Sequence, residues 1–126
     1  QPCSSAASDV YKRQIQHSLA VIAAEVAAAQ RAADAAVDSI GGERFVIEVA
    51  AGKARVGEAV GIVAEQTHQI HGAMGFTHEH QLHHFTRRLW AWRDEWGSES
   101  YWQRRLGEWL SKQGPDKLWA SLATPG

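Results

Sequence analysis

Proline is absent from the long interior of this chain, and this absence constrains the fold more than any other feature of the sequence. The three prolines are Pro2, Pro115 and Pro125, so the strongest helix breaker is missing from everything between the first two. Ten of the seventeen residues from position 20 to position 36 are alanine, the best helix former. All six tryptophans, by contrast, fall between Trp90 and Trp119. The sequence therefore predicts an all-α chain with a slim first half and a bulky second half.

The composition limits the class of protein further. With 126 residues, 44% of them hydrophobic and 21% charged, the chain is typical of one globular domain. Its formal net charge of −1 argues against nucleic-acid binding, which usually needs a basic excess. Charged residues interrupt every long apolar stretch, so no membrane span is predicted. The single cysteine, Cys3, excludes an internal disulfide, and we expect a cytoplasmic location.

The first fourteen residues differ from the rest. Residues 3–14 (CSSAASDVYKRQ) lack a helical apolar period and resemble a string found at the ends of translated metagenomic reads. We predict that residues 1–14 are a non-native leader and that the chain is a truncated fragment; a disordered native N-terminus is the alternative. Residues 15–113 are then the structured domain, and residues 114–126 are a tail with a short helix.

Apolar residues at spacings of three and four predict four helices, which short loops would join into an antiparallel bundle. The first predicted helix ends at Gly41 and carries Ile15, Leu19, Ile22, Val26, Ala29, Ala33 and Val37. The second runs from about residue 43 to about residue 71 and carries Phe45, Val49, Val56, Val60 and Val63. The third follows a Thr77 N-cap and carries Leu82, Phe85, Leu89, Trp92 and Trp96. The fourth lies between a Ser98 N-cap and Gly114 and carries Tyr101, Trp102, Leu106, Trp109 and Leu110.

Four histidines lie within seven positions and could bind a metal ion. They are His78, His80, His83 and His84. The metalloprotease spacing H-E-x-x-H fails because Leu82 stands where the second histidine is needed. No cysteine or second acidic cluster stands close enough in sequence to complete a tetrahedral site. We therefore predict a solvated polar helix start and no metal.

Arginines alternate with tryptophans over residues 87–93 (RRLWAWR), a pattern that can stack on nucleic-acid bases. Leu89, Trp92 and Trp96 keep the spacing of a helix core, however, and Asp94 and Glu95 neutralise part of the charge. Packing within an amphipathic bundle is therefore the favoured interpretation.

A glycine-rich segment, residues 69–77 (QIHGAMGFT), is the third candidate site. Gly72, Ala73 and Gly75 would let a ligand or another chain approach the backbone closely. The segment leads into a predicted helix N-terminus, whose free N–H groups and dipole favour an anion such as phosphate. The alternative is an ordinary turn.

The longer run QIHGAMGFTHEHQLHHFTRR at residues 69–88 resembles the late motif of the acyl-CoA dehydrogenases. That motif is Gln-x-x-Gly-Gly-x-Gly-Phe or Tyr, then Thr-x-Glu and a basic stretch. The segment IQHSLA at residues 15–20 resembles the start of the first long helix of the family's C-terminal domain. The resemblance spans residues 15 to about 110. It implies an all-α four-helix bundle, which in the whole subunit follows an N-terminal helical domain and a middle β domain.

The resemblance also implies a function: α,β-dehydrogenation of an acyl-CoA thioester in fatty acid metabolism, with FAD as the cofactor. A carboxylate takes the α proton while the β hydride moves to the flavin. This domain would help to bind FAD and to form a homo- or hetero-oligomer, typically a dimer of dimers, and would be inactive alone. An electron-transfer acceptor would be a further partner, with no nucleic acid and no membrane. The alternative is a standalone helical interaction module without catalysis.

Carried over residue by residue, the resemblance implies four FAD-contacting positions. Gln69 and the backbone of Gly72 and Ala73 match residues that contact the adenosine diphosphate end of FAD, typically across a dimer interface. Ser98 stands where the family usually has a threonine that also reaches FAD. Ala73 replaces the usual second glycine. Ser100 replaces the usual glutamine two residues after Ser98, so the contact of that glutamine is expected to be lost.

The resemblance assigns no catalytic residue in this chain. Many family members place the catalytic glutamate directly before the glycine that matches Gly97, where this sequence has Trp96. Glu95 lies one residue earlier, which on a helix turns the side chain by about 100°, so we interpret it as a solvated glutamate. Either the base precedes the first helix and lies outside this sequence, or the subunit lacks one and assembles with a complete partner.

Overall fold

The computed structural model describes residues 2–73 and 80–123. Four long helices are present, α1 (Pro2–Asp38), α2 (Phe45–Ala73), α3 (His80–Asp94) and α4 (Glu99–Gln113). A single 3₁₀ turn (Pro115–Lys117) and the short helix α5 (Leu118–Ala123) follow. No strand occurs in the described ranges. The prediction of an all-α chain with four helices is therefore confirmed.

Helix α2 is the centre of the bundle, because it packs against α1, α3 and α4. All the buried apolar side chains among the described residues belong to it, namely Ile47, Ala50, Ala54, Ala59 and Ala64. Four of the five are alanines, and such small side chains let three neighbouring helices approach one axis closely. Phe45, which was expected in the apolar stripe of this helix, lies at its first position and is exposed.

The face of α1 that meets α2 differs from the predicted one. Ile22 and alanines further along the helix, among them Ala28, Ala32 and Ala35, are half-buried, whereas Leu19, Val26 and Val37 are exposed. The reason is steric: Gly52 of α2 lies so close to the Ala32 carbonyl that an added Cβ would be 3.2 Å from its oxygen. Close approach needs the alanine face, so the predicted stripe is turned partly away from the bundle. An ion pair between Arg55 and Glu25, 2.5 Å apart, fixes the contact.

The inner face of α3 also departs from the predicted stripe. Leu82, Thr86, Leu89 and Arg93 point toward α2, whereas Phe85 and Trp92 are exposed. Thr86 is the buried polar residue of this face; its Oγ1 lies 3.2 Å from His68 Nε2 and also donates to the Leu82 carbonyl. Because α3 is short and covers only one narrow strip of α2, its large aromatic side chains remain outside.

Helix ends follow the predicted capping residues where the structure describes them. Ser98 is the N-cap of α4, with its Oγ accepting the Tyr101 N–H at 3.5 Å, and Gly114 follows α4 with a φ of 85°. The predicted Thr77 cap lies outside the described residues.

Residues 2–14 continue α1, and their non-native origin stays a prediction. Within the described ranges, no helix is long and apolar enough to cross a membrane.

Candidate functional site

Three of the four predicted FAD-contacting residues lie in the last turns of α2. Gln69 and Gly72 are both exposed, and Ala73 is the last residue of the helix. A Cβ added at Gly72 would meet nothing within 4 Å, so its backbone is open to an approaching group. The rest of the glycine-rich segment, from Met74 to Thr77, lies outside the described residues.

Gln69 lines a cleft of about 610 Å³ between the end of α2 and the early turns of α1. The cleft also contains Gln66, Ser18 and His17, together with residues of the segment predicted to be a non-native leader. Its described lining includes amide, hydroxyl and imidazole groups and no carboxylate. The lining also includes the Arg13 guanidinium, which belongs to the segment predicted to be non-native. Donors without an opposing anion suit a phosphate or nucleotide group. The side chains therefore fit the diphosphate end of a cofactor such as FAD.

Ser98 lies in a different place, at the turn between α3 and α4. Gly97 has a φ of 98°, which favours glycine, and Trp96 has a φ of 61°, uncommon for a bulky residue. Trp102 Nε1 donates to the Trp96 carbonyl at 2.9 Å, which holds the turn in this conformation. The Ser98 oxygen accepts from the helix backbone, and its O–H remains available as a donor.

A half-buried ion pair between Arg93 and Glu99 fixes this turn on α2. Arg93 donates through Nε to Glu99 Oε2 at 2.9 Å and through Nη2 to the other carboxylate oxygen. This hydrogen bonding raises the pKa of the Arg93 guanidinium above its ordinary value. The pair lies against two glycines of α2: an added Cβ would be 2.5 Å from Glu99 Oε2 at Gly57 and 3.2 Å from Arg93 Nη1 at Gly61.

Lys53 of α2 adds a further contact to the end of α3. Lys53 Nζ donates to the carbonyls of Trp92 and Arg93, at 3.1 Å and 2.8 Å. These are terminal carbonyls of α3, at the negative end of the helix dipole, and the Trp92 carbonyl also accepts the Glu95 N–H. The sequence analysis missed this whole arrangement. The signal that could have indicated it is the pair Gly57 and Gly61, one turn apart inside a helix, where glycine is otherwise unfavourable.

Ser98 borders a smaller cleft of about 360 Å³ with Trp90, Asp94, Glu99 and neighbouring residues. Arg93 also lines the cleft and pairs with Glu99, so Asp94 is the carboxylate that disfavours a phosphate here. The cleft therefore fits an uncharged hydroxyl or amide group better. Glu99 contacts α2 at Gly57, and Gln69 lies twelve positions further on, about 18 Å along the helix axis. The structure therefore does not bring Gln69 and Ser98 into one cavity of a single chain.

The positions considered for a catalytic base are both at the end of α3. Glu95 is exposed and follows the last residue of the helix, and its backbone N–H donates to the Trp92 carbonyl at 3.2 Å. Trp96 is 88% exposed. The expectation that Trp96 belongs to the apolar stripe of the third helix is therefore wrong, because α3 ends at Asp94 and the backbone reverses at Trp96. The position considered for the base is therefore occupied by an exposed indole and not by a carboxylate.

The histidine cluster lies at the start of α3. His83 and His84 are exposed, and the His83 ring is 4.8 Å from the ring of His68 on α2. His78 and the side chain of His80 lie outside the described residues. Among the residues that are described, no group of three His, Cys, Asp or Glu side chains is close enough to hold a metal ion.

Comparison with known proteins defines the class of this bundle. The family model of the acyl-CoA dehydrogenase C-terminal domain matches residues 10–107. This is well over half of the 126 residues, and the chain belongs to the acyl-CoA dehydrogenase family. The family is one of oxidoreductases. No curated protein and no solved structure gives a significant match.

Proposed function

We propose that this chain is the FAD-binding and oligomerising C-terminal domain of a flavin-dependent acyl-CoA dehydrogenase, which dehydrogenates an acyl-CoA thioester between its α and β carbons. The family match over residues 10–107 is the observation that carries the proposal. The donor-lined cleft at Gln69 and the open backbone at Gly72 support it, because they suit the phosphates of a nucleotide cofactor.

FAD, when bound, supplies the acceptor for the hydride that leaves the β carbon. The residues of this chain would hold the cofactor and take no proton or hydride. Gln69 would donate its carboxamide N–H to the diphosphate end, and Gly72 and Ala73 would leave room for it beside the end of α2. Ser98 would donate its O–H to an uncharged part of an FAD other than the one that Gln69 contacts. Since Gln69 and Ser98 lie in separate clefts, they would contact cofactors of different subunits in the assembly.

Replacing the carboxamide of Gln69 tests the cofactor part of the proposal. In the full-length protein, Gln69→Ala is expected to weaken FAD binding by about tenfold, the value of one hydrogen bond to a charged group. The measurement is the amount of FAD that each subunit retains after dialysis, determined from the visible absorbance of the flavin. Gln103→Ala is the matched control, because Gln103 is an exposed glutamine on α4. Equal FAD retention by both variants would contradict the assignment of Gln69.

The catalytic part is tested by reduction of the flavin. Full-length protein in its native assembly is expected to lose its visible flavin absorbance when an acyl-CoA is added without oxygen. Glu95→Gln should leave the rate of this reduction within about threefold, because this exposed carboxylate after the end of α3 has no partner among the described residues that aims it inward. Stopped-flow absorbance gives the rate. A loss of several orders of magnitude would instead identify Glu95 as the base.

If Glu95 is not the base, two sources remain for the carboxylate that takes the α proton. One is a residue that precedes this domain in the full-length subunit, and the other is a complete partner subunit. The two are distinguished by the purified subunit alone: reduction by acyl-CoA without any partner supports the first, and reduction only after addition of the partner supports the second.

A further inference from the structure

The hydroxyl of Ser98 is weakly held by the turn in which it lies. Its Oγ accepts the Tyr101 N–H at 3.5 Å, which is the long limit of a hydrogen bond, so this cap alone defines the direction of the O–H poorly. The bond from Trp102 Nε1 to the Trp96 carbonyl ties the turn to α4 and not to α2. The direction of the Ser98 O–H therefore depends on how firmly the ends of α3 and α4 are held on the bundle.

Arg93 and Glu99 join these two helix ends on either side of Ser98. Arg93 lies in the last turn of α3, and Glu99 is the first residue of α4, directly after Ser98. The planar guanidinium donates to both oxygens of the carboxylate, a geometry that fixes orientation as well as distance. The two side chains are only 29% and 23% exposed, so water competes little for these hydrogen bonds.

Helix α2 provides the surface on which this pair is seated. Gly57 and Gly61 leave no side chain between the α2 backbone and the pair: an added Cβ would lie 3.3 Å from Glu99 Cβ and 3.2 Å from Arg93 Nη1. Lys53, one turn before Gly57, donates to two terminal carbonyls of α3. Residues at intervals of four share one face of a helix, so a single face of α2 holds both ends of the turn.

The pair and the hydroxyl belong to the same cleft. Arg93, Glu99 and Ser98 all line the space of about 360 Å³ at the turn. Because both oxygens of Glu99 accept from Arg93, the pair neutralises its own charge inside the cleft, and the Ser98 O–H is left as a donor toward a ligand. The geometry therefore gives the pair an effect on a bound ligand through the position of Ser98.

We propose that Arg93 and Glu99 are positioning residues for FAD: their pair, seated on Gly57 and Gly61, sets the direction in which Ser98 presents its O–H to the cofactor. The inference rests on the proposed function for the identity of the cofactor. It adds two residues to which the sequence analysis gave no role in binding FAD, and it gives the two glycines inside α2 a functional reason besides packing.

A double-mutant cycle in the full-length protein tests whether the pair acts through Ser98. Ser98→Ala is expected to raise the dissociation constant of FAD about fivefold, the value of one neutral hydrogen bond. Arg93→Lys keeps the positive charge but removes the two-pronged contact, and it should raise the constant by about the same factor. The double variant should bind FAD as well as either single variant, because the hydroxyl that Arg93 positions is already absent. Titration of FAD-depleted protein with FAD, followed by flavin fluorescence, gives the constants.

Glu99→Gln is the second variant, and it keeps the size of the side chain against Gly57. It replaces one of the two acceptor oxygens by an amide N–H₂, so it should raise the dissociation constant as Arg93→Lys does. Arg44→Lys is the matched control, because Arg44 pairs with Glu48 at similar exposure, 23% and 21%, and lines a different cleft. It should leave the constant within about twofold. Circular dichroism checks that all variants keep the same helical content.

The outcomes separate this inference from the proposed function. If Ser98→Ala weakens FAD binding but Arg93→Lys or Glu99→Gln does not, Ser98 stays an FAD contact and its positioning by the pair is overturned. Equal effects of Arg93→Lys with and without the Ser98 hydroxyl would also overturn it, because they would mean that the pair only stabilises the bundle. An ineffective Ser98→Ala would remove the Ser98 contact and the inference together, and a full-length protein that binds no FAD would overturn the proposed function itself.

Discussion

Gly57→Ala is expected to lower the free energy of unfolding by about 1–3 kcal/mol, as overpacking of a close contact does. The new Cβ would lie 2.5 Å from Glu99 Oε2 and 3.3 Å from Glu99 Cβ. The carboxylate could rotate away, but it would then lose its hydrogen bonds to Arg93. The Cβ of Glu99 is fixed by the α4 backbone, so α4 itself must move away from α2. Denaturation by urea, with circular dichroism at a fixed protein concentration, measures the change.

Gly107→Ala is the matched control for this prediction. Gly107 also lies inside a helix, α4, but a Cβ there would meet nothing within 4 Å. Without a steric cost, the helix preference of alanine should raise the free energy of unfolding by about 0.5–1 kcal/mol. The same substitution at the two glycines is thus expected to change the free energy of unfolding in opposite directions. A Gly57→Ala variant that is as stable as the wild type would mean that α4 does not press against α2 at this glycine.

Ile47→Ala should also destabilise the chain strongly. Ile47 is 5% exposed and is the largest of the buried apolar side chains on α2. Removing most of a buried isoleucine loses its transfer free energy and leaves a cavity, for a typical total of about 2–4 kcal/mol. The core of this bundle consists otherwise of alanines, so few larger neighbours are available to fill the space. The same urea titration measures the effect.

Leu122→Ala serves as the control for the core substitution. Leu122, in α5, is 58% exposed, and its truncation should change the free energy of unfolding by no more than about 0.5 kcal/mol. A comparable loss for both variants would indicate that the chain does not form the α2-centred core on its own.

The helices themselves could be predicted from the sequence because they depend on local properties. The absence of proline allows long helices, and the glycine at Gly41 and the cap at Ser98 end or begin them through backbone conformation and one hydrogen bond. The family, too, was recognisable from a contiguous motif, and the match over residues 10–107 agrees with it.

The contacts between helices could not be predicted in the same way. Arg93 and Glu99 are six positions apart across one turn, but only the fold brings their pair against Gly57, and spacing within one helix carries no information about that contact. The separation of Gln69 and Ser98 into two clefts has the same origin, since both were assigned by position in a motif and not by distance.

Helix α1 shows most clearly what the sequence alone determined and what the tertiary structure decided. The sequence determined that α1 is a helix with a broad apolar surface, because alanine content and three–four spacing are local facts. The fold decided which part of that surface meets α2. Close packing selected the alanines that fit against Gly52 and left Leu19, Val26 and Val37 outside. The physical reason is that apolar periodicity fixes how much surface a helix must bury, whereas steric fit between two particular helices fixes which side is buried first.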